Sequence, residues 1–245
     1  MIIYGINPVL EALRSGRVKE VRLASRTSER HQQVLAAARD ARVAVRNSSL
    51  EEIDREARGG VHQGVAATVD DARVYSVEEL VQAADGPALI VVLDGIEDPH
   101  NLGAILRTVD AAGAHGVVIQ SRRSAALSGA TAKASAGALA HVRVAEVVNI
   151  ARAIEELKGL GVWSVGLAGE AEAAYNTIDL TGPTAIVVGA EGAGLRRLVR
   201  ESCDFLAKIP MNGRLSSLNV SVATGVALFE AVRQRGVGRP PSSPR

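Results

Sequence analysis

Residues 88–121 read ALIVVLDGIEDPHNLGAILRTVDAAGAHGVVIQS, and the fold turns on how they are divided. Residues 88–95 form an apolar run of strand length ending in Asp-Gly. Residues 101–113 read as a helix, and 116–121 as a second strand. Strands of continuous Val, Ile and Leu separated by helices predict a parallel sheet covered on both faces. The alternation continues with a helix over 149–161, strands over 162–169 and 184–192, and a helix over 194–203. "FLAKIPM" (205–211) then leads through a Gly-, Ser- and Asn-rich loop to a last helix over 221–235.

Upstream, residues 1–72 alternate strand-like and helix-like stretches on a smaller scale and predict a separate small α/β sandwich. In "NPVLEALRSG" Asn7 is placed to cap a helix, Pro8 suits its first turn and Gly16 its end. Residues 50–57 read as another helix. Residues 73–86 read as a linker with one helix, 87–236 as the second domain, and "GVGRPPSSPR" has the composition of a disordered tail, assigned to 237–245.

With 245 residues the chain is long enough for a sizeable core, and with aromatics at 2% that core must be built from aliphatic side chains. No apolar run approaches the roughly 20 residues that span a bilayer, and the N-terminus lacks the pattern of a signal peptide. A single Cys rules out an internal disulfide and leaves a metal site at most one thiolate. A cytoplasmic setting is expected. Net charge is +1 and most basic residues are Arg, which suits phosphate contacts. A GC-rich coding bias would produce the same enrichment, so Arg content alone does not indicate RNA.

Three stretches hold the polar residues on which chemistry could rest. The first is "DGIEDPHNLGAILRT" (94–108). Its conspicuous Asp98-Pro99-His100 is read as a turn delivering the chain to a helix. The second is "VVGAEGAGLRR" (187–197), a strand–turn–helix glycine cluster of order G-x-x-G-x-G. That order differs from the dinucleotide fingerprint, and no ribose-binding acid follows, so a nicotinamide dehydrogenase is disfavoured. The third is "IPMNGRLSSLNVSVATG" (209–225), where Ser217 or Asn219 would cap the helix that follows. It holds no local base to activate a serine, so hydrolase chemistry is disfavoured.

Taken together, "NLGAILRT", "GAEGAGL" and "IPMNGRLSSLNVSVATG" resemble, in order and spacing, the three motifs of the SpoU family. These are the TrmH-like RNA ribose 2′-O-methyltransferases of the SPOUT superfamily. "IYGINPVLEAL" is similar to the start of their substrate-binding domain, an L30e-like fold, and "DPHNLGA" and "SSLNVSVATGVALFEAVRQR" are similar to the branch acting on a guanosine in the P loop of 23S ribosomal RNA. The resemblance covers nearly the whole chain. It implies a parallel sheet with a C-terminal trefoil knot, against the general rule that chains avoid knots. It also implies S-adenosylmethionine as cofactor, no metal, and a homodimer whose subunits complete each other's sites, with residues 222–231 as a contact.

Carried over by position, Gly189, Ile209, Met211 and Leu218 are expected to bind the cofactor. Asn101, Arg107, Glu191, Ser217 and Asn219 form the expected catalytic set. Arg107 is the family's activator of the ribose hydroxyl. An Arg pKa above about 12 makes a literal base awkward, so binding the adjacent phosphate is the alternative role. RNA binding is expected to involve Arg22, Arg26 and Arg30, with Tyr4, His62 or Arg planes available for stacking. Within the family, a transfer RNA ribose methyltransferase and an adenosine-modifying 23S resistance enzyme are the alternatives. A catalytically silent ribosome-assembly factor is the alternative of another class, and joint retention of Asn101, Arg107 and Asn219 argues against it.

Overall fold

Gly5 starts the first helix by a conformation few other residues adopt: its φ of +95° turns the chain out of strand β1 (Ile2–Tyr4) into α1 (Ile6–Arg14). Asn7, the expected cap, therefore lies inside the first turn, and the helix has no side-chain cap. The structure, a computed structural model, describes residues 2–24, 28–69, 73–121, 131, 134–135 and 137–236. Arg26 and the tail at 237–245 lie outside the described residues.

After α1 come β2 (Val18–Leu23), α2 (Glu29–Asp40), β3 (Ala44–Asn47), α3 (Leu50–Ala57) and β4 (Val65–Val69). Ser28 and Ser49 cap α2 and α3 by accepting the N–H three residues on. The four strands form one mixed sheet in the order β1-β4-β2-β3, with β4 antiparallel to both neighbours and β3 parallel to β2. Tyr4, Ile53, Ala57 and Ala66 pack together in its core.

The second sheet has seven strands, all parallel, in the order β11-β9-β10-β6-β7-β8-β5. They are β5 (Val74–Tyr75), β6 (Leu89–Asp94), β7 (Gly116–Gln120), β8 (Val144–Val147), β9 (Trp163–Leu167), β10 (Thr184–Gly189) and β11 (Phe205–Ala207). All six residues of β6 are buried, as a strand covered on both faces requires. The accompanying helices are α4 (Val77–Gln82), α5 (Pro99–Ala111), α6 (Ile150–Gly159), α7 (Arg197–Ser202) and α8 (Val220–Gly236). On α6 the buried residues Ile150, Ala153, Ile154 and Leu157 recur at i, i+3, i+4 and i+7, the spacing of one helical face.

Three strands escaped the sequence. β5, β8 and β11 have two, four and three residues, too few for periodicity to register. Val74–Tyr75, assigned to a linker, is thus an edge strand of the large sheet. The chain divides into two compact units: Met1–Arg73 with Glu97–Arg107 and Ala125–Val142, and the remainder. No helix among the described residues is long and apolar enough to cross a membrane.

Candidate functional site

Parallel strands present all their carboxyl ends on one edge of a sheet, and ligands of open α/β sheets bind there. In the second unit a cavity of about 710 Å³ opens at the ends of β9, β10 and β11. Its wall runs from Val188 through the glycine turn to Gly194. The opposite side is Ile209 and Met211, with Ser216–Val220 at the entrance to α8. Gly189, Glu191, Ile209, Met211, Ser217, Leu218 and Asn219, drawn from two distant motifs, all line it.

Gly189 admits no side chain. A Cβ there would stand 2.1 Å from the Gly194 carbonyl carbon and 2.4 Å from the Leu195 nitrogen. The turn folds back on itself through a Gly194 N–H to Ala190 carbonyl bond of 2.9 Å, with Gly192 and Gly194 at positive φ. Its tip, Glu191, accepts from Asn219 Nδ2 at 2.5 Å. Asn219 Oδ1 in turn accepts from the backbone N–H and hydroxyl of Ser221 at 2.9 and 2.5 Å. Of the two capping candidates it is therefore Asn219 that caps α8, and the same side chain ties the second motif to the third.

The cavity combines apolar groups (Ile209, Met211, Leu218) with strand-end backbone and the charged side chains of Glu170, Glu191 and Lys208. Glu170 is held below the usual carboxylate range by its own backbone N–H and by Arg200, whose Nη1 donates to it at 2.7 Å. Among the described residues no cluster of three or more His, Cys, Asp or Glu is arranged for a metal.

Asn101 and Arg107 lie in the first unit on α5. Asp98 caps this helix, accepting the His100 N–H at 2.8 Å on its carboxylate and the Leu102 N–H at 3.0 Å on its carbonyl, with Pro99 in the first helical position. The Asp-Pro-His triplet is thus a helix start, and His100 is exposed. Asn101 is buried and Arg107 exposed. Six residues at 100° each put them about 120° apart around the helix and about 9 Å apart along it. Gly103, between them, sits where a Cβ would come within 2.3 Å of the Ala134 Cβ.

The first sheet corrects the expectation for RNA contacts. Arg22 is 6% exposed and is spent inside the fold, donating to Glu56 and to the Thr68 hydroxyl. It cannot grip phosphate. Tyr4 is buried in the core, and the His62 side chain, bonded to Asp54 at 2.9 Å and to the Gly64 N–H, is only 11% exposed, so neither offers an open stacking face. Arg30 is exposed, with a 3.3 Å bond to Asn7 Oδ1.

Sequence reasoning passed over Asp94, Arg196, Glu170 and Lys208. Asp94 and Arg196 stand beside motif glycines at a strand end, which was a usable signal. Glu170 and Lys208 follow β9 and β11 and became visible only once strand order was known.

A parallel sheet whose carboxyl edge carries a glycine-walled cavity defines a ligand-binding α/β domain, preceded here by a small mixed-sheet domain. Residues 88–229 match the SpoU rRNA methylase family, and residues 2–75 match the RNA 2′-O ribose methyltransferase substrate-binding family. The 23S rRNA (guanosine-2′-O-)-methyltransferase RlmB of Pseudomonas syringae pathovar tomato is 49% identical over 98% of both chains. That of Yersinia pestis is 46% identical over 96% of this chain and 98% of its own. Among solved structures, the SpoU methyltransferase AviRb from Streptomyces viridochromogenes, in complex with AdoMet, superposes with a TM-score of 0.81 at 25% identity, covering 97% of this chain and 91% of that one. The chain belongs to the SpoU rRNA methylase family.

Proposed function

We propose that the protein transfers a methyl group from S-adenosylmethionine to the ribose 2′-hydroxyl of a guanosine in 23S ribosomal RNA, the P-loop guanosine that the resemblance points to. The observation that carries this reading is the convergence of second- and third-motif residues on one cavity, in a chain 49% identical to a 23S rRNA guanosine methyltransferase.

The cavity suits the cofactor by size and lining. Its volume lies in the usual range for small-molecule sites, and the closed-up Gly189 leaves bare backbone where an adenine needs hydrogen-bond partners beside an apolar slot. Gly189, Ile209, Met211 and Leu218 would hold the cofactor, which supplies an activated methyl on a sulfonium. The protein's work is then alignment, a contribution that reaches about 7–11 kcal/mol in well-oriented reactions. Arg107 binds the phosphate beside the target ribose and favours the ionised hydroxyl electrostatically, because a guanidinium does not act as a base near neutral pH. Asn101 orients the start of α5. Asn219 holds Glu191 at the rim, and Ser217 shapes the same rim.

The domain assignment follows the same reading: an L30e-like RNA-binding domain over 1–72 and a knotted methyltransferase domain up to 236, to whose sheet Val74–Tyr75 of the expected linker belongs. Arg30 is the remaining described candidate for phosphate contact in the first domain. The working form is a cytoplasmic homodimer, supported by Val222 and Phe229 of α8, each 51% exposed on a helix whose Val220, Ala227, Leu228 and Ala231 are buried.

Labelled S-adenosylmethionine and unmodified 23S RNA, with ribose methylation mapped by mass spectrometry, test the reading. Methyl is expected on a guanosine 2′-oxygen and lost in Arg107→Ala. Methyl on a base, on an adenosine or only on transfer RNA would overturn it, and light scattering checks the dimer.

A further inference from the structure

Asp94 ends β6 directly opposite Gly189, its register partner on β10, and its side chain is fully buried. A buried carboxylate at a sheet edge is costly unless its oxygens are satisfied. Here one residue satisfies both. Arg196 donates its backbone N–H to Asp94 Oδ2 at 2.8 Å and its Nε to Oδ1 at 2.6 Å, and a second guanidinium nitrogen completes the ion pair. The same guanidinium reaches Gln120 Oε1 at 2.8 Å, and Gln120 Nε2 donates to the Val148 carbonyl at 3.2 Å. A polar strap thus crosses the carboxyl edge from the turn after β10, over β6 and β7, to the residue following β8.

Arg196 follows two residues after Gly194, the last residue of the turn to line the cavity. The turn's internal bonds, Ala193 N–H to Glu191 carbonyl and Gly194 N–H to Ala190 carbonyl, fix its shape but not its tilt over Gly189. The bond that ties its exit to the sheet is the one from Arg196 to Asp94.

We propose that Asp94 is a positioning residue for the cofactor wall, acting through Arg196: it clamps the 190–195 turn onto Gly189 and so sets cofactor affinity and the placement of Glu191. The role rests on the methyltransferase reading for its ligand, but the clamp itself does not. It keeps a charged pair where an apolar pair would pack, because a single carboxylate accepts from both the backbone N–H and the guanidinium of one residue at defined angles.

Three proteins decide the matter: wild type, Asp94→Asn, and the double variant Asp94→Leu/Arg196→Met, which replaces the charged pair with an apolar one. Amide hydrogen exchange at 192–195 without ligand is expected to quicken at least tenfold in both variants while the β6 and β10 amides stay protected. S-adenosylhomocysteine affinity by calorimetry is expected to fall at least tenfold in both, with the KM for RNA within twofold of wild type. Unchanged exchange in Asp94→Asn overturns the clamp. So does wild-type affinity in the double variant, which would show that any filler of the edge suffices. A wild-type protein that binds no S-adenosylhomocysteine refutes the cofactor reading instead, and the exchange data still judge the clamp.

Discussion

Arg22 in the four-stranded sheet and Arg196 on the carboxyl edge of the seven-stranded sheet both meet a carboxylate, yet they serve different ends. Arg22 is spent within its sheet, linking β2 to α3 and β4 through Glu56 and Thr68. Arg196 stands where a strand has ended and a turn must be aimed, and its side chain remains 47% exposed. Within a strand an arginine is architecture; after the turn that leaves a strand's end it shapes a site. Arg107 adds a third case, an exposed arginine on the helix that also carries the buried Asn101. Its loss gives the largest expected effect. Arg107→Ala should lower turnover by on the order of 10²–10³-fold, the scale of losing one charge-stabilising donor, with S-adenosylhomocysteine affinity and melting temperature unchanged. If Arg107→Ala turns over normally in a methylation assay, the division among the arginines fails at its most important member.

Arg22→Ala sharpens the other side of the comparison. It strands Glu56 and the Thr68 hydroxyl, and removing one partner of a buried pair costs about 3–5 kcal/mol. Urea denaturation should show that loss, while cofactor affinity in the folded protein stays the same. A purely RNA-binding defect with full stability would instead return Arg22 to the surface role its sequence neighbourhood suggested. A smaller effect separates two jobs of one residue. Asn219→Ala forfeits the α8 cap, worth about 1 kcal/mol, as well as the bond to Glu191. Asn219→Asp keeps the cap but sets a carboxylate against Glu191. The melting temperature should therefore drop by roughly 2–4 °C in the alanine variant and hold in the aspartate variant, with activity reduced in both. Full activity in Asn219→Asp would remove the Glu191 tie from the site.

The same contrast explains what the sequence disclosed. Strand β6 and the helices carried long, strong patterns, so the parallel class and the small leading domain were legible. The cavity residues were reached through the family resemblance that the motifs carry, and the structure supplies a physical reason for two of them: a glycine with no room for Cβ and an asparagine with two bonds to make. β5, β8 and β11 were not legible, since two to four residues carry no period and are fixed by their neighbours in the sheet. Arg22, Arg26 and Arg30 looked like one cluster, but four-residue spacing along a chain is not spacing on a surface. Val21, Arg22 and Leu23 are buried in succession on β2, where Glu56 and Thr68 hold Arg22 inside, while Arg30, on α2, faces out. Asn7 failed as a cap for a related reason: the turn at Gly5 is set by backbone freedom, which a scan for capping side chains overlooks.

Arg30 is where the smallest effect is expected, and it asks whether the first sheet touches RNA at all. An exposed arginine that neutralises one phosphate contributes about 0.7–0.9 to the slope of log affinity against log salt. Arg30→Gln keeps a hydrogen-bond donor for Asn7 Oδ1 and removes the charge, so folding should be untouched. Binding to a 23S fragment, titrated at several salt concentrations by fluorescence anisotropy, should weaken by a few fold, with a slope shallower by about that one contact. The loss should be the same for altered sequences, because a phosphate contact positions without specifying. A slope identical to wild type would leave Arg30 as a solvated end of α2. Neither Arg22 nor Arg30 would then contact RNA, and the charge that attracts it would have to come from other residues.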